Sequence, residues 1–292
     1  GLIVSLDIRS GIERAGKYLM PALLLMLVAM VVYGGIYGDF AAAVEFLAFG
    51  DGTPISPKIF MEAVGQAFFT VSVGIGGIML YGAYMGDDVN MARATMWIVL
   101  MDLVAALLAG FAIFPIVFAS GIDPNAGPGL VFMSLPLAFS AMLGASVLAF
   151  VFFLLLSFAA ITSSISILAV PVSILEEAGM NRKLAALVTS LLSFALSWIT
   201  ILSFSSMSGY YPLASLGFDG LTMFDLLREG INNFYLPFMG VFFAVIVGWF
   251  LPKSRVFETV SIANNRLFSL WYSLLRYVVP FAIGLLFLMT VI

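Results

Sequence analysis

The chain contains no cysteine and no histidine. Disulfides, thiolate or imidazole metal sites, and the usual nucleophile–base pairs are thereby excluded, so the residues give no ground for expecting an enzyme. Charge is also scarce. Only 10% of the 292 residues are Asp, Glu, Lys or Arg, against about 25% in soluble domains, and the net charge of −4 suggests no nucleic-acid partner. What fills the chain is apolar, with 63% hydrophobic residues and a mean hydropathy of +1.15. The apolar runs do not alternate with polar residues but continue for about 20 residues, which excludes a β-barrel and predicts an all-α polytopic membrane protein. The sequence starts at Gly1, and GLIVSLDIRSGIERAGKY reads neither as a signal peptide nor as a leading membrane helix. A beginning elsewhere is expected.

Seven stretches are long enough to cross a bilayer: roughly 18–38, 60–85, 94–119, 143–175, 184–205, 222–251 and 268–291. Nine of the twelve basic residues fall on one side of them: Arg9, Arg14, Lys17, Arg93, Arg182, Lys183, Lys253, Arg255 and Arg266. The opposite loops carry Asp39, Glu45, Asp51, Asp123 and Asp219. The positive-inside rule then places the N-terminus in the cytoplasm and the C-terminus outside. That orientation is the reverse of a seven-helix receptor. A retinal protein needs a buried lysine, and every lysine here lies in a loop or at a span end. Of the outer loops, 39–59 is expected to hold a short surface helix and 121–142 a helical hairpin or lid. No linker divides the chain, so residues 1–292 are expected to form a single transmembrane domain.

Polar groups in a bilayer core must be satisfied within the protein, and each cluster of them is a candidate site. In QAFFTVSVGIGGIML (66–80), Thr70, Ser72, Gly74, Gly76 and Gly77 occupy the middle of a span. Glycine costs about 1 kcal/mol against alanine inside a helix. Either the helix breaks here and exposes backbone carbonyls and amides, or small residues pack against a neighbour, with Gly65 and Gly76 as candidates. In FAAITSSIS (158–166), Thr162, Ser163, Ser164 and Ser166 crowd one turn. Such hydroxyls usually bond back to the i−4 carbonyl, but together with the Ala159 carbonyl they would also make half of an oxygen cage for a hard cation. Asp102 lies eight residues inside the third span, about 12 Å along it, with no basic residue nearby. A lone carboxylate there costs several kcal/mol unless protonated or paired with a cation. Asp225 and Arg228, at the start of the sixth span, are weaker signals, since charged residues at a helix entrance are usually solvated. Arg276, inside the seventh near Tyr277, is explained equally by snorkelling.

In order along the chain, five motifs resemble the neurotransmitter:sodium symporter family, particularly its bacterial amino-acid transporters. GIERAGKYLMP (11–21) is similar to the start of that family's fifth helix. GQAFFTVSVGIGG (65–77) resembles its unwound sixth helix, and FAAITSSIS the sodium-binding stretch of its eighth. GLTMFDLL (220–227) and LLRYVVP (274–280) look like parts of its tenth and eleventh. The resemblance implies an inverted-repeat transporter fold with a discontinuous helix near residues 66–80. It implies sodium-coupled symport of an amino acid with an apolar side chain by alternating access, and two sodium sites. Thr70 and Asp102 match one ion site beside the substrate carboxylate. Ala159 through its carbonyl, with Thr162 and Ser163 through their hydroxyls, matches the other. Phe69 matches the lid over the substrate. Thr70, Ser72, Ile75 and Ile167 match substrate-pocket positions, and Gln66 and Asp225 match the outer gate.

Two departures carry expectations of their own. The family often has Asn at Asp102 and Glu or Ser at Ala106, a position that supplies or recruits negative charge. Asp102 is therefore expected to supply that charge directly, with no chloride required. Ile75 replaces a larger aromatic and leaves room for a bulkier substrate. The family's first four helices have no counterpart here, which implies that they are partners of this chain, in the same polypeptide or a separate fragment, and that each ion site is only partly supplied. The bacterial cytoplasmic membrane is the expected location. The alternatives are a transport-inactive scaffold or sensor of the same fold and a proton-coupled carrier using Asp102.

Overall fold

Lipid offers the backbone no hydrogen-bonding partners, so an uninterrupted apolar run must close its own bonds as a helix. The computed structural model is built almost wholly in that way, with no strand among the described residues. It describes residues 1–292 except 7–12, 51, 53, 87–88, 125–126, 128, 217–219, 261, 263 and 292, and except the side chains of 287–291. Arg9, Asp51 and Asp219, used above for orientation, lie outside the described residues.

The helices are α1 (Leu2–Ser5), α2 (Arg14–Tyr37), α3 (Phe40–Phe49), α4 (Pro57–Thr70), α5 (Gly77–Ala83), α6 (Met91–Ala119), α7 (Leu135–Ser140), α8 (Ala145–Glu177), α9 (Arg182–Ser203), α10 (Met223–Glu229), α11 (Leu236–Val245), α12 (Lys253–Val260), α13 (Asn265–Ser273) and α14 (Val279–Val291). The π turn Gly230–Tyr235 joins α10 to α11, and Ile246–Phe250 extends α11. A further π turn, Leu274–Val278, joins α13 to α14. Six continuous runs are long and apolar enough to span: Arg14–Tyr37, Met91–Ala119, Ala145–Glu177, Arg182–Ser203, Met223–Phe250 and Asn265–Leu286. The second of the seven expected stretches is present in two pieces, α4 and α5.

Helix starts follow their local chemistry. The side chains of Asp39, Ser56, Asn181 and Asn264 each accept a first-turn amide, and each such cap contributes about 1 kcal/mol. The expected surface helix in 39–59 is α3. The expected hairpin in 121–142 is instead one short helical piece, the π turn Leu130–Ser134 running directly into α7. Its Leu130, Leu135, Ala138 and Phe139 are buried among Leu27, Met30, Ile116, Leu148 and Phe152. The two apolar runs form one buried face, so no reversal between them is needed.

Two compact units emerge. One comprises Gly1, Ile55–Val99 and Ile167–Ile292; the other Leu2–Pro54 and Leu100–Ser166. Two of the junctions, 99/100 and 166/167, fall within continuous helices, α6 and α8. The second unit holds the core just described. There Pro115 leaves Phe111 without its usual intrahelical amide, and the Pro115 carbonyl accepts the Asp39 amide at 2.9 Å. In the first unit α4 packs against α11 and α14, with Met61, Leu236, Ala244 and Ile283 buried.

Candidate functional site

The span that contains the glycine cluster breaks. α4 ends at Thr70 and α5 begins at Gly77. Between them the backbone enters the left-handed region twice, at Ser72 (φ 56°) and Gly76 (φ 83°). Gly76 takes that conformation freely because it lacks a Cβ, whereas a serine there carries roughly 1–2 kcal/mol of steric strain. The Ala67, Phe68 and Phe69 carbonyls are recaptured by the amides of Val71, Val73 and Ser72. The carbonyls of Thr70 and Val71 and the amides of Gly77, Ile78 and Met79 have no hydrogen-bond partner among the described residues. A helix C-terminus and a helix N-terminus are thus joined by six residues, the first with free carbonyls and the second with free N–H groups. Ser72→Gly is expected to hold or slightly raise the melting temperature in detergent. Ser72→Val, which places a β-branched side chain at positive φ, should lower it.

Packing and interruption are both present, at different glycines. A Cβ at Gly65 would lie 2.0 Å from the Asn232 carbonyl oxygen, and one at Gly74 would lie 2.6 Å from the Leu236 side chain. Those two glycines seat the broken segment on the π turn and α11. A Cβ at Gly76 would meet Val170 at an ordinary 3.6 Å. Phe69, Thr70 and Gln66 are exposed and Ser72 and Ile75 half-buried. The Thr70 hydroxyl donates to the Ala67 carbonyl at 3.2 Å. Ile167, on α8, is also exposed and belongs to the same unit.

Gln66 lines a polar cavity of about 440 Å³ with Glu62, Arg228, Glu229, Asn232 and Asn233. Glu229 pairs with Arg228 and accepts from the Asn233 side chain. Asp225, the other expected gate residue, does not line this cavity. Its Oδ2 accepts from the Thr222 amide at 3.1 Å and the Thr222 hydroxyl at 2.7 Å, closing a capping box at the start of α10. The sequence reading missed Glu62, Glu229 and Asn232. Their signal was weak because they sit two to five residues outside the quoted motifs. A larger cavity of about 800 Å³ in the same unit is lined by Phe68, Val73, Phe243, Val247 and Trp271. Its walls are almost wholly apolar, with Arg255 and Thr259 as the polar exceptions.

The other unit holds Asp102, Ala159, Thr162 and Ser163. Asp102 is half-buried on α6 and makes no hydrogen bond or ion pair among the described residues. Thr162 Oγ1 donates to the carbonyls of both Phe158 and Ala159 at 3.0 Å. The back-bonding expected of a helical threonine is therefore real. It also brings the Thr162 and Ala159 oxygens to the spacing at which two ligands share one hard cation. Ser163 is exposed with an unbonded hydroxyl.

The family model for the sodium:neurotransmitter symporter family matches residues 1–292. An uncharacterized sodium-dependent transporter of Haemophilus influenzae is 32% identical over 289 residues, covering 98% of this chain and 62% of that protein. The sodium-dependent transporter YhdH of Bacillus subtilis is 32% identical over 294 residues, covering 98% and 63%. The crystal structure of MhsT in complex with L-phenylalanine matches with a TM-score of 0.86 at 32% identity, covering 99% of this chain and 65% of that one. The chain spans a little under two thirds of the length of each of these proteins.

Proposed function

The chain belongs to the sodium:neurotransmitter symporter family, and from that premise we propose that it takes part in sodium-coupled symport of an amino acid with a large apolar side chain. The observation that carries this reading is the interrupted helix with unbonded Thr70 and Val71 carbonyls and unbonded Gly77, Ile78 and Met79 amides. The carbonyl end of a half-helix attracts a cation and the amide end a carboxylate, the arrangement transporters of this fold use at their substrate sites. MhsT's complex with L-phenylalanine supports an aromatic or large aliphatic substrate here. Phe69, Ser72, Ile75 and Ile167 contact that substrate, with Phe69 as its lid. Thr70 serves both the substrate site and sodium.

Asp102 is the carboxylate of one sodium site. Ala159, Thr162 and Ser163 supply oxygens to a second. Gln66 and Asp225 belong to the outer gate. Because Asp102 provides a full negative charge, chloride is not required. The protein resides in a bacterial cytoplasmic membrane with Gly1 on the cytoplasmic side, as its basic loops indicate.

The test is uptake of labelled phenylalanine by proteoliposomes containing the complete gene product. Accumulation is expected with an inward sodium gradient and not with choline, and replacement of chloride by gluconate should leave it unchanged. Uptake that persists without sodium and follows a proton gradient would overturn sodium coupling, and loss in gluconate would overturn the role given to the Asp102 charge. Thr162→Val keeps the shape and removes one oxygen. It should raise the sodium concentration for half-maximal uptake by roughly tenfold, the cost of one charge-assisted contact.

A further inference from the structure

Two π turns on neighbouring helical runs clasp each other. In a π turn one residue is inserted into the helix and a carbonyl leaves its regular partner. Here each turn is supplied with a donor from the other run. Trp249, in Ile246–Phe250, donates its indole N–H to the Arg276 carbonyl at 3.1 Å. Tyr272, just before Leu274–Val278, donates its hydroxyl to the Gly248 carbonyl at 2.9 Å. Closure needs Gly248, where a Cβ would lie 3.1 Å from Arg276 Cα.

The clasp holds the Arg276 side chain in an unusual place. Its guanidinium carbon is 5.0 Å from the Trp249 ring centroid and 5.4 Å from that of Tyr277. Its Nε is buried without a hydrogen-bond partner, and Arg276 takes part in no ion pair. The surrounding surface is apolar and open: Trp249 and Tyr277 are each 57% exposed and Phe250 is 77% exposed. The depth follows from Lys253, which follows the end of the run Met223–Phe250 and lies 5.5 Å from the Tyr272 ring centroid. If Tyr272 marks the polar boundary, Arg276 lies one turn deeper, about 6 Å. Lys253, Arg255 and Arg266, all exposed and none in an ion pair, stand above it.

We propose that Arg276, framed by Trp249 and Tyr277, is a headgroup site for an anionic phospholipid. A membrane-facing cation with no carboxylate partner requires an anion at the height where its donors emerge, and a phosphodiester suits the planar, multi-donor guanidinium. Tryptophan and tyrosine settle at the headgroup level. The cations above favour a lipid with net negative charge over a zwitterionic one. The lipid's acyl chains lie along Phe250 and Phe281, which is 72% exposed. This inference stands on the clasp alone and does not depend on the transported substrate.

Native mass spectrometry of the complete protein with phosphatidylglycerol and phosphatidylcholine tests it. Phosphatidylglycerol should be retained roughly tenfold better, the weight of one bidentate charge pair. Arg276→Gln should bring the two lipids to parity, and Arg276→Lys, which keeps charge without the fork, should fall between. A second measurement leaves Arg276 untouched. Quenching of the Trp249 fluorescence, isolated by comparison with Trp249→Phe, should be stronger with acyl-brominated phosphatidylglycerol than with acyl-brominated phosphatidylcholine. Equal quenching by the two lipids, a preference that survives Arg276→Gln, or displacement of the lipid by millimolar inorganic phosphate would overturn the proposal.

Discussion

Asp102→Ala is expected to abolish sodium-driven uptake while leaving the protein folded, and to reduce sodium-induced thermal stabilisation to near zero. The carboxylate is half-buried on α6 and has no hydrogen-bond or ion-pair partner among the described residues. In sodium-free buffer it is a cost, because a charge left uncompensated in a membrane-spanning helix is unfavourable. Its removal should therefore hold or raise the melting temperature without sodium. With sodium present the sign reverses. Binding at a concentration about 100-fold above Kd stabilises by about 2.7 kcal/mol, and the variant forfeits that. Loss of one partner of a buried charge pair costs about 3–5 kcal/mol, enough to weaken sodium binding by two orders of magnitude or more. A structural carboxylate behaves differently: its removal would lower stability equally with and without sodium. Melting curves in sodium and choline, paired with uptake, separate the two.

Gly65→Ala should be the most damaging single-methyl change in the broken segment. A Cβ there would sit 2.0 Å from the Asn232 carbonyl oxygen and 2.9 Å from its carbon, both backbone atoms. No rotamer change can relieve that contact; α4 or the π turn Gly230–Tyr235 must move by more than 1 Å, roughly the shortfall from ordinary van der Waals contact. Overpacking in a close-packed interior costs about 1–3 kcal/mol when side chains can yield, and more when backbone must. The expected result is a large fall in melting temperature and in the monodisperse fraction on gel filtration. Gly82→Ala is the matching control. Nothing lies within 4 Å of its added Cβ, and the better helix former should gain up to about 1 kcal/mol.

How much of this was legible in the sequence depended on the reach of the interaction. The break between Thr70 and Gly77 could be anticipated because three glycines and two hydroxyl residues in a lipid-length run contradict every local preference of a membrane helix. Which glycine does what was not legible. Gly65 and Gly74 are required by Asn232 and Leu236, more than 160 residues away, and spacing within one segment carries no record of a partner. The short helix in 39–59 followed from its Asp39 cap. The stretch 121–142 misled because its Gly and Pro residues signalled a reversal, while burial of Leu130, Leu135 and Phe139 in one core drew both apolar runs onto a single helical face. Arg276 stayed open between snorkelling and function because a π turn has no sequence signature. Its guanidinium against the Trp249 and Tyr277 rings is visible only in the structure. Thr162 was ambiguous for a different reason: the 3.0 Å approach to the Ala159 carbonyl made by back-bonding is also the approach that cation sharing would need.

The claim beneath the functional reading is that alkali metal ions are held by oxygens of these helices. Equilibrium binding of radioactive sodium to the purified complete protein addresses it most directly. Saturable binding that tightens when phenylalanine is added, and that Asp102→Ala and Thr162→Val each reduce, is the predicted result. Binding that does not saturate, or that both substitutions leave at the wild-type level, would contradict it.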